Sequence, residues 1–134
     1  MTMEFTWIDI PTVNDPRGNL AILEKGVIPF DFKRVFYLFD VPSGSSRGGH
    51  ALKTTNQLLI PISGSFDVVL KNGSDTQTMA LKSPTKGLLI PTMTWREMHH
   101  FSAGAVCLVL ASKTYQEEDY IRDWNTFTAV TGQR

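Results

Sequence analysis

The stretch RGGHALKTTNQLLIPISG, Arg47–Gly64, decides how this chain is read. Two glycines deliver His50 to a polar first half, which passes into the apolar run Leu58-Leu59-Ile60-Pro61-Ile62 and closes on Gly64. The skeleton is His50, one residue, Leu52, four residues, Gln57, six residues, Gly64. Residues two apart on a strand share a face, so His50 and Leu52 point the same way. A first-row metal takes three or four N, O or S ligands, and here Leu52 supplies none while the Gln57 amide is a weak, neutral one. The stretch therefore places a titratable imidazole at the start of a buried strand, and no metal or other cofactor is expected there.

Working outward, turn residues cut the chain into many short segments. On the N-terminal side, Thr6–Ile10 and Leu20–Glu24 read as strands flanking the turn Asn14-Asp15-Pro16-Arg17-Gly18-Asn19, where proline presets φ and glycine accepts a left-handed backbone. Lys33–Val41 is a third strand, rich in aromatic and branched residues. Period two divides it into a Val35, Tyr37, Phe39, Val41 face and an Arg34, Phe36, Leu38, Asp40 face; neither is wholly polar, so both are expected to be covered. Pro42–Gly49 is a loop by composition.

On the C-terminal side, Gly64–Leu70 and Thr76–Leu81 flank Lys71-Asn72-Gly73-Ser74, where Asn-Gly is a strong hairpin signal. Leu88–Pro91, Trp95–His99 and Ala105–Ser112 follow as strands, separated by turn residues. The tail Tyr115–Phe127 differs: Tyr120, Trp124 and Phe127 recur at helical intervals, predicting a short C-terminal helical segment. Short strands at this spacing, without a long helical pattern, specify an all-β protein, an antiparallel sandwich or barrel. Residues 1–134 contain no repeat and no linker, so one domain is expected.

Composition narrows the function classes. The chain is 42% hydrophobic and 19% charged, as in a soluble globular protein, and 13 basic residues balance 13 acidic ones. Neither a nucleic-acid partner nor a membrane is suggested by that balance. The N-terminus does not read as a signal peptide, and no apolar run approaches the ~20 residues of a membrane helix. A lone Cys107 in AVCLVL reads as a buried thiol suited to the reducing cytoplasm. Walker, GxSxG, CxxC and dinucleotide motifs are all missing.

His50 is the leading candidate for chemistry, because imidazole takes and returns a proton near neutral pH; the alternative is a hydrogen-bonded structural histidine. Tyr37 is a proton donor or a core tyrosine. Arg47 clamps a phosphate or is a solvated loop charge. His99 and His100 adjoin each other, so on a strand they face opposite sides and do not form a metal pair.

The His50-to-Gly64 spacing resembles the first motif of the cupin barrels, in which two histidines and a glutamate usually hold a metal. Further blocks, KRVFYLFDVP, RGGHALK, ISGSFDVVLKNG, GLLIPTMTWREMHHFSAGAVCLVLAS and YQEEDYIRDWNTF, resemble in order the dTDP-4-dehydro-6-deoxy-glucose 3,4-ketoisomerases, small cupin proteins of deoxysugar biosynthesis. The resemblance covers Asp15–Phe127. It implies a cupin jelly-roll barrel in a homodimer with exchanged N-terminal strands, and a metal-free reaction that moves a carbonyl from C4 to C3 of a dTDP-linked 4-keto-6-deoxyhexose.

The family motif is RGxHAHK, whose histidines match His50 and Leu52, beside a strand tyrosine that matches Tyr37. Leu52 breaks the pair, and the tyrosine common at the position of Phe36 is also missing. The resemblance thus implies His50 and Tyr37 as catalytic residues. It gives Arg47 as the first diphosphate anchor, with Arg34, Lys53 and Arg96 behind it, and Gln57 as a hydrogen-bonding residue for sugar or base. A nucleotide-sugar binding protein that lost catalysis at Leu52 is the alternative, and a sugar 3,5-epimerase a further one. A histidine at position 52 would restore the family pattern, provided the pocket has room for the ring and a partner for its nitrogens.

Overall fold

Period-two burial is clearest in Phe66-Asp67-Val68-Val69-Leu70, where Phe66, Val68 and Leu70 are buried and the residues between them are not. That pattern repeats through a computed structural model that describes residues 5–72 and 75–132. The first strands are β1 (Thr6–Asp9), β2 (Thr12–Val13), β3 (Leu20–Ala21), β4 (Arg34–Leu38), β5 (Arg47–Leu52) and β6 (Gln57–Ser63). They are followed by β7 (Phe66–Asn72), β8 (Asp75–Leu81), β9 (Lys86–Ile90), β10 (Trp95–His99), β11 (Val106–Ala111) and β12 (Tyr120–Ile121). A helix, α1, spans Trp124–Thr131.

Two five-stranded antiparallel sheets carry the fold, ordered β1-β9-β6-β11-β4 and β12-β5-β10-β7-β8. Their inner faces meet in a core to which one sheet gives Leu59, Leu88, Ile90, Cys107 and Val109 and the other gives Phe66, Val68, Leu70, Leu81 and Met98. Each fully buried aliphatic or aromatic side chain contributes about 1.5–3 kcal/mol. The outer faces are covered differently. Ile10, Ile28 and the residues around them pack on Leu58, Ile60 and Leu110 of the first sheet. Helix α1 seats Phe127 on Ala51, Trp95 and Ile121 of the second. Cys107 is buried in the central core, which pushes its thiol up to about 12 and leaves it a packing residue.

The sandwich matches the all-β expectation, as does the antiparallel pairing of β7 with β8, and two local expectations change. The β7–β8 pairing runs to Asn72 opposite Asp75, while Gly73 and Ser74 lie outside the described residues. In the tail, Tyr120 belongs to a strand and the helix begins only at Trp124, after Asp123 caps it by accepting from the Thr126 N–H at 2.8 Å. Finally, β4 is an edge strand with only one covered face: Arg34, Phe36 and Leu38 point inward, whereas Val35, Tyr37 and Phe39 are 53%, 58% and 60% exposed.

Gly64 shows how tightly the sheet ends close. Its φ is +67°, and a Cβ there would lie 2.5 Å from Ser102 Oγ and 2.8 Å from Ala105 Cα, so only glycine fits the turn into β7.

Candidate active site

The site is set by a bulge between β5 and β10. Pairing runs Arg96 to His50 and then Glu97 to Gly48, which leaves Gly49 as the extra residue. Both glycines have positive φ, +86° at Gly48 and +73° at Gly49, and a Cβ on Gly48 would sit 3.1 Å from the Arg96 carbonyl oxygen. The double glycine therefore lets β5 take the extra residue and brings His50 opposite Arg96. Both side chains line a cavity of about 530 Å³ between the sheets. Phe36, Leu38, Leu59, Met98 and Val109 make its apolar wall, and Arg34, Ser46, Arg47, Gln57, Tyr120 and Arg122 add polar groups.

His50 is half-buried. Burial, and then the positive charge of Arg96, push its pKa down to about 4, against a hydrogen bond with the Gly48 backbone that favours the protonated ring; Arg122 adds a smaller push downward. At neutral pH the imidazole is thus uncharged. A carbonyl that accepts one ring N–H leaves the other nitrogen with its lone pair, the state a general base requires.

Arg96 is only 2% exposed. Its Nη1 donates to Gln57 Oε1 at 2.5 Å, and Nε and Nη2 approach the Thr94 carbonyl at 3.4 and 3.3 Å. Among the described residues it has no carboxylate within ion-pair distance. Burial lowers its pKa to about 10, so it stays charged. A buried cation with no carboxylate in direct contact, and with Asp119 attracting it from farther off, is costly for folding alone and is suited to an anion brought by a ligand. Gln57, buried on β6, aims that cation through its amide oxygen and keeps its NH2 group for a ligand.

The other sequence-derived residues divide. Arg34 is in the cavity wall, with its guanidinium 4.3 Å from the Phe36 ring centroid and 5.2 Å from that of Tyr115. Arg47 is exposed at the same cavity. Tyr37 is not part of it: the period of β4 turns Phe36 inward and Tyr37 outward, where its ring lies 5.7 Å from Phe39. Lys53 is also displaced, following the end of β5 into a separate groove with Ile121, Asp123 and Thr126. His99 and His100 contact Glu97 and Asp67 away from the cavity.

Leu52 is buried at 2% exposure beside a void of only about 10 Å³ that it shares with Arg34, Gln57, Asp119 and Tyr120. The groups around His50 are therefore a guanidinium, an amide, the Tyr120 phenol and an apolar side chain, a set without the further imidazole, thiolate or carboxylate that a metal takes. Among the described residues no three His, Cys, Asp or Glu side chains gather as a metal site would need.

Sequence reasoning missed Tyr120 and Arg122. The Asp119 carboxylate draws them in by accepting from the Thr54 N–H at 2.8 Å and from the Thr54 and Thr55 hydroxyls at 2.7 and 2.6 Å, which lays β12 along β5. The Tyr120 ring then lies 4.9 Å from His50, with the Arg122 guanidinium 4.3 Å from its own centroid. Arg122 is itself tied to Glu117, at 2.9 and 3.0 Å.

Comparison with known proteins places this geometry. The chain is 42% identical over 126 residues to the TDP-4-oxo-6-deoxy-alpha-D-glucose-3,4-oxoisomerase of Aneurinibacillus thermoaerophilus, covering 93% of this chain and 91% of that protein. The crystal structure of a 3,4-ketoisomerase from Helicobacter canadensis superposes with a TM-score of 0.94 at 40% identity, over 98% of this chain and 99% of that one. A mutant of the 3,4-ketoisomerase QdtA from Thermoanaerobacterium thermosaccharolyticum, solved with TDP-4-keto-6-deoxyglucose, gives a TM-score of 0.94 at 37% identity, over 98% and 96%. The 3,5-epimerases of Bacillus anthracis and Legionella pneumophila match at 15% and 18% identity and share the fold alone. The FdtA family model, described as WxcM-like, C-terminal, matches residues 3–132. On these grounds the chain belongs to the FdtA, WxcM-like family.

Proposed function

We propose that this protein is a 3,4-ketoisomerase acting on a dTDP-linked 4-keto-6-deoxyhexose, by metal-free proton transfer through an enediol. The observation that carries the reading is His50 directly opposite the buried Arg96 in one cavity, with no carboxylate within ion-pair distance of that guanidinium among the described residues. A proton on C3, next to the C4 carbonyl, is acidified, and a positioned imidazole contributes about 10²- to 10⁴-fold by removing it. Negative charge then develops on the C4 oxygen, where a fixed buried guanidinium gains most in stabilising strength. His50 is the base in this scheme and Arg96 the electrostatic partner. Arg47 and Arg34 receive the diphosphate, and Gln57 aims Arg96 and offers its NH2 to the sugar.

The same reading includes a cytoplasmic homodimer of one-domain chains serving deoxysugar and polysaccharide synthesis. The open apolar stripe of Val35 and Tyr37 on the edge strand β4, continued by Phe39 just past its end, supports association of two copies.

Incubation with dTDP-4-keto-6-deoxyglucose in deuterated water tests the reaction. Movement of the carbonyl to C3, with deuterium entering at C3 of recovered substrate and at C4 of product, is the expected result. Label at C3 and C5 with the carbonyl unmoved would make the protein an epimerase. Tight dTDP binding with no label anywhere would make it a binding protein, the reading that Leu52 favours.

A further inference from the structure

His50 supplies only half of the proton traffic that a 3,4-ketoisomerase needs. A proton must pass from C3 to C4, and another must pass from the C3 oxygen to the C4 oxygen. Side chains able to do the second job are few in the cavity wall. The Arg96 guanidinium is already engaged by Gln57 and Thr94, a guanidinium on the cavity rim gives up a proton far less readily than a phenol, the Gln57 amide does not ionise, and Phe36, Leu38, Leu59, Met98 and Val109 carry no proton to give. The Ser46 hydroxyl is a far weaker acid than a phenol. Tyr120 remains.

Its placement is specific. In the β12–β5 register Tyr120 stands opposite Leu52, the inert residue two positions along the same face from His50, which makes Tyr120 and His50 diagonal neighbours across the strands. Their rings lie 4.9 Å apart. Arg122 lies 4.3 Å over the Tyr120 ring, and the buried Arg96 charge is also within its electrostatic reach. Among the described residues the Tyr120 hydroxyl has no hydrogen-bond partner, although the ring is partly buried.

We propose that Tyr120 is a second catalytic residue, which shuttles the proton between the two sugar oxygens while His50 moves the proton between the two carbons. This rests on the ketoisomerase reading. In the first step His50 takes the C3 proton, the C3–H electron pair becomes the C3=C4 bond, and the carbonyl pair moves to the C4 oxygen, which takes the phenolic proton of Tyr120. In the second step the tyrosinate takes the proton from the C3 hydroxyl, whose O–H pair becomes the new C3=O bond. The C3=C4 pair then takes the proton back from His50 at C4. Both residues end as they began, and no oxidant or reductant is needed. Arg96 and Arg122 hold positive charge beside the path along which negative charge passes.

The test is Tyr120→Phe, which keeps the ring against His50 and removes only the hydroxyl. Isomerisation and deuterium entry at C3 of recovered substrate are measured together in deuterated water, with dTDP affinity by calorimetry. The expected result is isomerisation slowed by about 100-fold or more, with affinity unchanged. Exchange should fall less, because Arg96 still holds the C4 oxyanion while His50 removes the C3 proton in the first step, whereas the second step has lost its base, so the ratio of exchange to isomerisation should rise by at least about tenfold. Unchanged turnover would overturn the role, since a ring that merely packs against His50 survives in phenylalanine. Equal losses of exchange and isomerisation would also overturn it, because the residue would then act only through His50. If the unaltered protein neither exchanges nor isomerises, the ketoisomerase reading itself falls and takes this one with it; failure in Tyr120→Phe alone leaves that reading standing.

Discussion

Arg96 stands directly opposite His50 across β5 and β10, so the cavity's base and its buried cation form one cross-strand pair. Cβ atoms of such a pair lie about 5 Å apart, close enough for the guanidinium to disfavour a protonated imidazole.

Arg96→Met should therefore raise the His50 pKa from about 4 toward its ordinary value of 6.5, leaving the part of the shift that burial causes. It should also slow turnover by about 100-fold, the scale seen when a preorganised charge-stabilising group is removed. An NMR titration of His50 in the variant decides the first point, and an unmoved pKa would show that burial alone sets it.

The depressed His50 pKa links stability to pH. An unfolded chain protonates this histidine near pH 6.5, whereas the folded chain resists protonation down to about pH 4. The unfolded state thus binds the extra proton between those values, and stability falls as pH drops through that window, by up to about 3 kcal/mol. Denaturant melts of the native protein and His50→Asn at pH 7 and pH 4.5 should show the native protein losing more, since contributions from the carboxylates cancel in the comparison. His50→Asn should also abolish deuterium exchange while leaving dTDP affinity almost intact, because the amide is no base at neutral pH.

Much of this was legible in the sequence, and the limits have physical causes. Gly48-Gly49 before His50 read as the end of a loop, whereas the structure puts both glycines in β5 and uses them in its bulge, because the glycines that a positive φ calls for give the composition the look of a turn. The strand Lys33–Val41 was readable as a strand but not as an orientation: both its faces carry aromatic residues, so the sequence offers no contrast by which to tell inward Phe36 from outward Tyr37. Tyr120 was hidden for another reason. A two-residue strand has no period to detect, and what places it is the long-range bonding of Asp119 to Thr54 and Thr55, more than sixty residues away.

Arg47 and Lys53 make a matched pair of tests for the diphosphate. Arg47 is exposed at the cavity and makes no ion pair among the described residues, whereas Lys53 lies in the neighbouring groove. Arg47→Ala should weaken dTDP binding by more than about tenfold, on the order of the 1.5–3 kcal/mol of a charge-assisted hydrogen bond, and Lys53→Ala should leave it unchanged. Calorimetry that found the reverse would move the diphosphate to the groove beside α1.

Leu52 and Tyr120 face each other in the β5–β12 register, and that pairing predicts how their substitutions combine. A histidine ring is close to leucine in volume, which matters because the adjoining void of about 10 Å³ offers no spare room. Asp119 shares that void, and among the described residues its Oδ2 accepts only from the Thr55 hydroxyl, so one carboxylate lone pair is left for an imidazole N–H. Leu52→His should therefore fold, and in the native background it should change turnover little, because Tyr120 already carries protons between the sugar oxygens. In the Tyr120→Phe background the same substitution puts a titratable group beside the vacated hydroxyl position, and isomerisation should recover by at least about tenfold, within the range of one general acid or base. Additive behaviour, with the double variant as slow as Tyr120→Phe alone, would mean that the two positions do not share a function and that the oxygen-to-oxygen proton travels by another route.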